Sequence, residues 1–246
     1  MKTLVKLEIL RTLRNRRFMF FSVLYPGLLF LIITSGADKT KKLAGSDITA
    51  VAYYMVAMAA FGAMTAVLMG NAERIARERE KGWVRQLRLT ALPGRGYVTA
   101  KIASAATVSL PSILIVLVLG AAVKGVRLDA WQWGAILLSI WAGSMVFAAL
   151  GVAIGYVSTT DVARPVSMLC YFVLAMLGGL WVPFTTFPHW LRTLAGYLPG
   201  RAYAAMGQSI EFGDAPHTKD IAVLVVYLVL FAGTAAWLYR KDTRKA

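Results

Sequence analysis

The sequence predicts an all-α membrane protein with six transmembrane helices and both termini in the cytoplasm. Three observations lead there. Of the 246 residues, 58% are hydrophobic and only 16% are charged, with a mean hydropathy of +0.62; an ordinary soluble domain carries about 25% charge. The charged residues gather between six stretches, 18–35, 48–70, 102–123, 131–157, 165–183 and 221–239, none of which contains Asp, Glu, Lys, Arg or His. Each is close to or above the roughly 20 residues that a helix needs to cross hydrocarbon. The flanks are also unequal. Segments 1–17, 71–101, 158–164 and 240–246 hold 19 basic and 6 acidic residues, whereas 36–47, 124–130 and 184–220 hold 8 and 6. The positive-inside rule places the first set in the cytoplasm, and an even number of spans brings the C-terminus back to the side of the N-terminus.

This composition excludes a soluble enzyme and a disordered tail. The net charge of +15 would also suit a nucleic-acid partner, but the asymmetry of the flanks accounts for nearly all of it and no such partner is expected. Cys170 is the single cysteine, which excludes a disulfide framework and a cysteine zinc site. The protein is expected in the cell membrane, plasma or inner, as one multi-pass domain over 1–246.

Taken in order, residues 1–17 mix Leu4, Leu7 and Leu10 with Lys6, Arg11, Arg14, Arg16 and Arg17. They read either as an amphipathic lead helix lying on the inner surface, its basic stems snorkelling, or as a basic stop before the first span. That span is too long for a cleaved signal and lacks a small-residue cleavage site, so it is expected to stay as an anchor. In the second span Met55, Met58, Gly62, Thr65 and Met69 share one helical face. Methionine suits an adaptable apolar ligand surface; the pair Gly62 and Ala66 suits ordinary close packing. Both readings stay open.

Segment 71–101 is the longest cytoplasmic connection. Over 73–89 it alternates charge signs, lacks proline and predicts a helix, stopped by Leu92-Pro93-Gly94. Trp83, Val84 and Leu87 fall on one face, with Arg77, Lys81, Arg85 and Arg88 beside it. Such a helix can dock on a protein or lie on anionic lipid. Pro111 is expected to kink the third span. Gly151 and Gly155 predict a close helix contact in the fourth, and Gly178-Gly179 loosens the fifth near its outer end. Segment 184–220 is long but apolar. Trp190, Leu191, Leu194 and Leu198 follow helical spacing, and short re-entrant outer helices fit better than a free loop, with Trp190 and Tyr197 at headgroup level.

Absences narrow the mechanism. No ionisable residue lies within a span, as ion-coupled carriers usually require. The two histidines, His189 and His217, both fall in 184–220, so no catalytic or metal cluster is expected. No G-x-x-x-x-G-K-[ST] occurs, so uphill movement would need energy from another protein.

Several stretches recur in a familiar order. Tyr25-Pro26-Gly27 lies in the first span. Arg77-Glu78-Arg79-Glu80-Lys81-Gly82-Trp83 runs on to Leu92-Pro93, followed by Lys101. Leu177-Gly178-Gly179-Leu180-Trp181-Val182-Pro183 precedes Phe187-Pro188-His189-Trp190-Leu191 and Tyr197-Leu198-Pro199. In these the chain resembles the permease subunit of a type-2 ABC exporter, over essentially its whole length. It departs where Arg85 stands in place of a common Glu and where Ala91-Leu92-Pro93 replaces a Thr-Pro turn. The resemblance implies that 71–101 is a coupling region meeting an ABC ATPase through Arg77, Glu80, Trp83, Val84, Arg85, Leu87 and Arg88. It implies a second permease chain, the same or related, enclosing a path lined by Met55, Met58, Phe61, Thr65, Tyr171 and Phe172. It further implies a hydrophobic or amphipathic substrate of drug, antibiotic or lipid type, as in drug and antibiotic efflux. The chain itself would have no catalytic site, metal or cofactor, with ATP and Mg²⁺ bound by the partner subunit. A non-transport membrane anchor for a signalling or assembly complex is the alternative.

Overall fold

A computed structural model describes residues 20–36, 49–82 and 94–244, and every regular element among them is helical. A π-helical turn, Phe20–Leu24, leads into α1, Tyr25–Ile33. There follow α2, Ala50–Glu80; α3, Gly94–Ala122; α4, Ala130–Val157; and α5, Thr160–Gly178. A 3₁₀ turn, Phe184–Thr186, precedes α6, His189–Ala195, and α7, Pro199–Glu211; α8, Thr218–Arg244, ends the fold. Among the described residues α2, α4, α5 and α8 are long and apolar enough to cross a membrane, and Ser22–Ile33 and Thr107–Ala122 are shorter apolar helices. The expected lead helix, 1–17, lies outside the described residues.

Three boundaries differ from the expected ones, each for a local reason. The second apolar run ends at Gly70, but α2 continues to Glu80. Residues 71–80 are nearly all strong helix formers, and Arg77 bonds Glu73 one turn back at 2.6 Å. The helix expected over 73–89 is therefore not one piece. Its first part is the end of α2, which stops at Gly82 with φ of +69°, and 83–93 lie outside the described residues. The fifth apolar run, 165–183, is not helical throughout. α5 starts five residues earlier, at Thr160, and Gly179, with φ of +82°, ends it. Only glycine adopts that left-handed conformation without strain. Likewise Leu198 does not share a face with Trp190, because it caps α7, a separate helix that opens with Pro199.

α2 is the axle of the fold. Nearly all of its apolar length is buried, and other helices reach it on every side. Glycines set the distances. A Cβ on Gly151 of α4 would stand 2.6 Å from the Leu68 carbonyl oxygen, and one on Gly155 would stand 2.8 Å from Ile75 Cβ. The close contact expected of this Gly-x-x-x-Gly pair is with α2. On the opposite side Gly62 faces Pro26 of α1 and Ser112 of α3, and Gly120 of α3 receives the Met55 sulfur. The Asn71 amide also donates to the Ala148 carbonyl at 3.1 Å, tying α2 to α4 by a polar bond. By contrast, α5 and α8 leave apolar faces exposed, Met168, Leu169, Phe172, Val173 and Met176 on the first and Val225, Val226, Val229 and Leu230 on the second.

The helix α7 is wedged among α2, α4, α5 and α8 at the end of the bundle where α2 begins. Its Tyr203 hydroxyl lies 3.2 Å from the carbonyl oxygens of both Ala60 and Ile140. The Gln132 amide of α4 reaches the terminal carbonyls of α7 at Ile210, 2.8 Å away, and Glu211, 3.2 Å away, satisfying groups that a helix end leaves open. Arg201 donates to the Gln208 side chain at 2.7 Å and lies over the Phe184 ring at 4.3 Å. Burial pushes its pKa down. Tyr53 of α2 donates to the Gly179 carbonyl, beside this group. Among the described residues neither carboxylate oxygen of the buried Glu211 has a hydrogen-bond partner, and burial raises its pKa to about 8.

Two outcomes follow. Gly151→Ala should lower unfolding stability in detergent by about 1–3 kcal/mol through overpacking. Gly134→Ala on the same helix, with open space around it, should be neutral or raise it by up to about 1 kcal/mol. Equal effects in a chemical-denaturation series would contradict the packing of α2 on α4. Glu211 binds its proton more tightly folded than unfolded. Its contribution to stability therefore falls as pH rises from the ordinary carboxyl value, 4.5, through about 8. Glu211→Gln should leave the melting temperature nearly unchanged at pH 4.5 and raise it progressively towards pH 8.

Candidate functional site

Two regions collect the residues singled out by sequence. The first is the end of α2 where its basic stretch lies. Arg77 is exposed and pairs with Glu73; an exposed i, i+4 pair contributes about 0.3–0.5 kcal/mol, so it leaves Arg77 available to a partner. Glu80 accepts from the Thr160 backbone N–H at 2.7 Å and from its hydroxyl, capping α5. Trp83, Val84, Arg85, Leu87 and Arg88 lie outside the described residues.

Between Arg77 and Glu80 lie two ties that sequence reasoning did not pair. Lys101 Nζ donates to Glu78 Oε1 at 2.8 Å, with side-chain exposures of 1% and 5%. Removing one partner of such a buried pair strands a charge and costs about 3–5 kcal/mol, an order of magnitude above the Arg77–Glu73 term. The structural cross-link at this end is therefore Glu78–Lys101. Arg79 donates to the carbonyls of Gly155 at 3.2 Å and Ser158 at 3.4 Å, and its guanidinium stacks 5.5 Å from the Tyr156 ring centre. A cation there meets the negative end of the α4 dipole, and the Glu80 carboxylate meets the positive end of α5.

The second region holds the expected path residues. Met55, Met58, Phe61 and Thr65 are all buried within the chain. Met55 fills the notch at Gly120, and the Thr65 hydroxyl donates to the Phe61 carbonyl of its own helix at 2.8 Å. Around Met55 the methionine face of α2 thus serves helix packing. Phe61 does meet an aromatic residue of α5, and another in the turn that follows it. Its ring centre lies 5.7 Å from that of Tyr171 and 5.2 Å from that of Trp181, and Phe172 follows at 5.9 Å from Trp181. The result is an aromatic wall running from the buried axle to the exposed face of α5, where Phe172 is 46% exposed. Trp181 joins two of the expected residues, Phe61 and Phe172, to one another. Its signal in sequence was only its place after Gly178-Gly179, because the turn at Gly179 that swings it back onto α2 has no periodicity to read.

The comparisons accord with this architecture. A family model described as "ABC-2 family transporter protein" matches residues 32–238. The chain is also 28% identical over 235 residues, 96% of its own length and 95% of the relative's, to "Putative transport permease YvfS" of Bacillus subtilis (strain 168). The family match takes in α2 through α7 entire, both the charged end of the axle and the aromatic wall, and the chain belongs to the ABC-2 family of transporter proteins.

Proposed function

We propose that this protein is the membrane subunit of an ABC exporter that moves an amphipathic or hydrophobic compound, of drug, antibiotic or lipid type, out of the cell. It would sit in the cell membrane as a six-span, single-domain permease with both termini inside. Two permease chains would enclose the path and two copies of a separate ATPase would drive it, with ATP and Mg²⁺ bound on the ATPase. The observation that carries the reading is the continuity of α2, whose apolar length runs without a break into the basic stretch before 83–93. A push received there reaches the centre of the bundle along one rigid helix. Trp83 and Leu87 would fill a pocket on the ATPase, while Arg77, Arg85 and Arg88 complement its charge. Alternating access would then expose the wall of Phe61, Tyr171 and Phe172, beside Met55, Met58 and Thr65, first to one side and then to the other. The helices α6 and α7 would fold back into the outer half of the membrane and close the path there.

Replacing Trp83 and Leu87 together with Ala should abolish stimulation of the ATPase and weaken its co-purification with the permease. Unchanged stimulation and recovery would sink the docking role of 83–89. For the orientation, single cysteines are read in a Cys170→Ser background. One at Lys41 should react with an impermeant maleimide added to intact cells, and one at Lys81 should react only after permeabilisation. Reversed labelling would invert the topology.

A further inference from the structure

Three consecutive residues close α2, and each holds a different helix. Glu78 pairs with Lys101 of α3 at 2.8 Å. Arg79 reaches the Gly155 and Ser158 carbonyls at the end of α4. Glu80 caps the start of α5 at Thr160. Successive side chains on an α-helix turn by about 100°, so one turn at the end of α2 can address three neighbours at once. Arg79 and Glu80 grip the α4–α5 turn from both sides, the cation on carbonyls and the anion on an amide, each matched to its helix dipole.

The placement along the chain gives this arrangement its meaning. The chain leaves α2 at Lys81 and returns as α3 at Gly94, so Glu78 and Lys101 bracket segment 83–93 and their ion pair joins the two helices that carry it. Burial of both groups at 1% and 5% exposure lies beyond the uncharged run of α2, at an end where solvated lysine and glutamate would be the ordinary finding.

We propose that Glu78, Arg79 and Glu80 form a distributing node, with Lys101 as its strut, that delivers displacement of 83–93 simultaneously to α3, α4 and α5. They are positioning residues and act through the helices they hold. The inference rests on the reading of 71–101 as the region that meets an ATPase. It requires that the ends of these four helices move as one body, and that each tie governs one helix.

The test uses the permease purified with the ATPase that accompanies it from its own membrane, in a Cys170→Ser background. Single cysteines replace exposed residues towards the far ends of the three helices: Val123 beyond α3, Trp131 on α4 and Met176 on α5. The rate of labelling by a water-soluble maleimide is measured with and without ATP. In the parent, ATP should change the rate at all three positions. Glu78→Gln should lose the change at 123 and Arg79→Met at 131, each with the ATPase still bound and hydrolysing, and Glu80→Gln should lose the change at 176. The swapped pair Glu78→Lys with Lys101→Glu should restore the response at 123, which separates the strut from a mere loss of folding. A parent with bound ATPase and no response to ATP, or variants that keep all three responses, would overturn the node. Release of the ATPase by the Glu78 or Arg79 variant would also overturn it, by making that residue a docking group. Failure of any ATPase to accompany the parent would instead sink the coupling reading on which the node depends.

Discussion

The fold depends on keeping one helix surrounded. In lipid, apolar surface gains little by exchanging acyl chains for other side chains, so helices associate through close van der Waals fit and polar ties. α2 meets that condition with small residues of its own, Ala57, Ala59, Ala60, Gly62, Ala63 and Ala66, and with glycines on its neighbours: Gly120 on α3, Gly151 and Gly155 on α4, and Gly207 on α7, where a Cβ would stand 2.7 Å from Val56. Larger residues fill what the glycines leave open. Tyr203, Phe61 and Phe147 are among the largest fully buried side chains, and Phe147 meets Tyr203 at 5.0 Å. Widening any one of these glycines moves α2 relative to every helix that touches it.

How much of this was legible follows from what each residue type reports. The apolar runs were readable because ionisable groups are excluded from hydrocarbon, and the contact at Gly151 and Gly155 because glycines four apart leave a groove. The end of α2 is not legible from hydropathy, which falls at Gly70 whereas helix propensity persists to Glu80. The pairing of Glu78 with Lys101 leaves no mark in the sequence, since a bond across 23 residues has no period. The methionines were ambiguous for a chemical reason, as one soft side chain suits a notch at Gly120 and a ligand equally. Of the expected site, the ends are described, Arg77 and Glu80 on one hand and the aromatic wall on the other, while the tryptophan-bearing segment lies outside the described residues.

The expectation that no span carries an ionisable group holds for the sequence runs, yet ionisable groups are buried all the same. Arg201 and Glu211 enter the bundle on α7, a short helix between two apolar runs, and Lys101 and Glu78 enter at the opposite end, beyond the uncharged runs. Each group is managed differently. Arg201 is bonded to Gln208 and stacked on Phe184, Lys101 and Glu78 pair with one another, and burial raises the pKa of Glu211. Charged side chains are thus concentrated at the two ends of α2, leaving its middle to apolar packing and neutral polar contacts such as that of Tyr203 with the Ala60 carbonyl. A helix so anchored transmits displacement along its axis better than it yields to bending.

That rigidity constrains where a conformational change can take place. Densely packed interiors are bistable at their interfaces rather than continuously deformable, and the contacts of α2 with α4 are backbone to backbone at Gly151, with no soft side chain to give way. Motion inside the α2–α4 pair is therefore disfavoured against motion of the pair as a unit. Runs of exposed apolar side chains lie on α5 and α8, and the aromatic wall reaches the first of them at Phe172. In the two-chain arrangement proposed above, the α5 face borders the wall and, among the described residues, is left exposed. On that proposal the substrate would travel along the wall between two rigid bodies rather than through the core at Met55 and Met58, with α2 supplying the stiffness and Phe61, at the wall's buried end, the contact between axle and path.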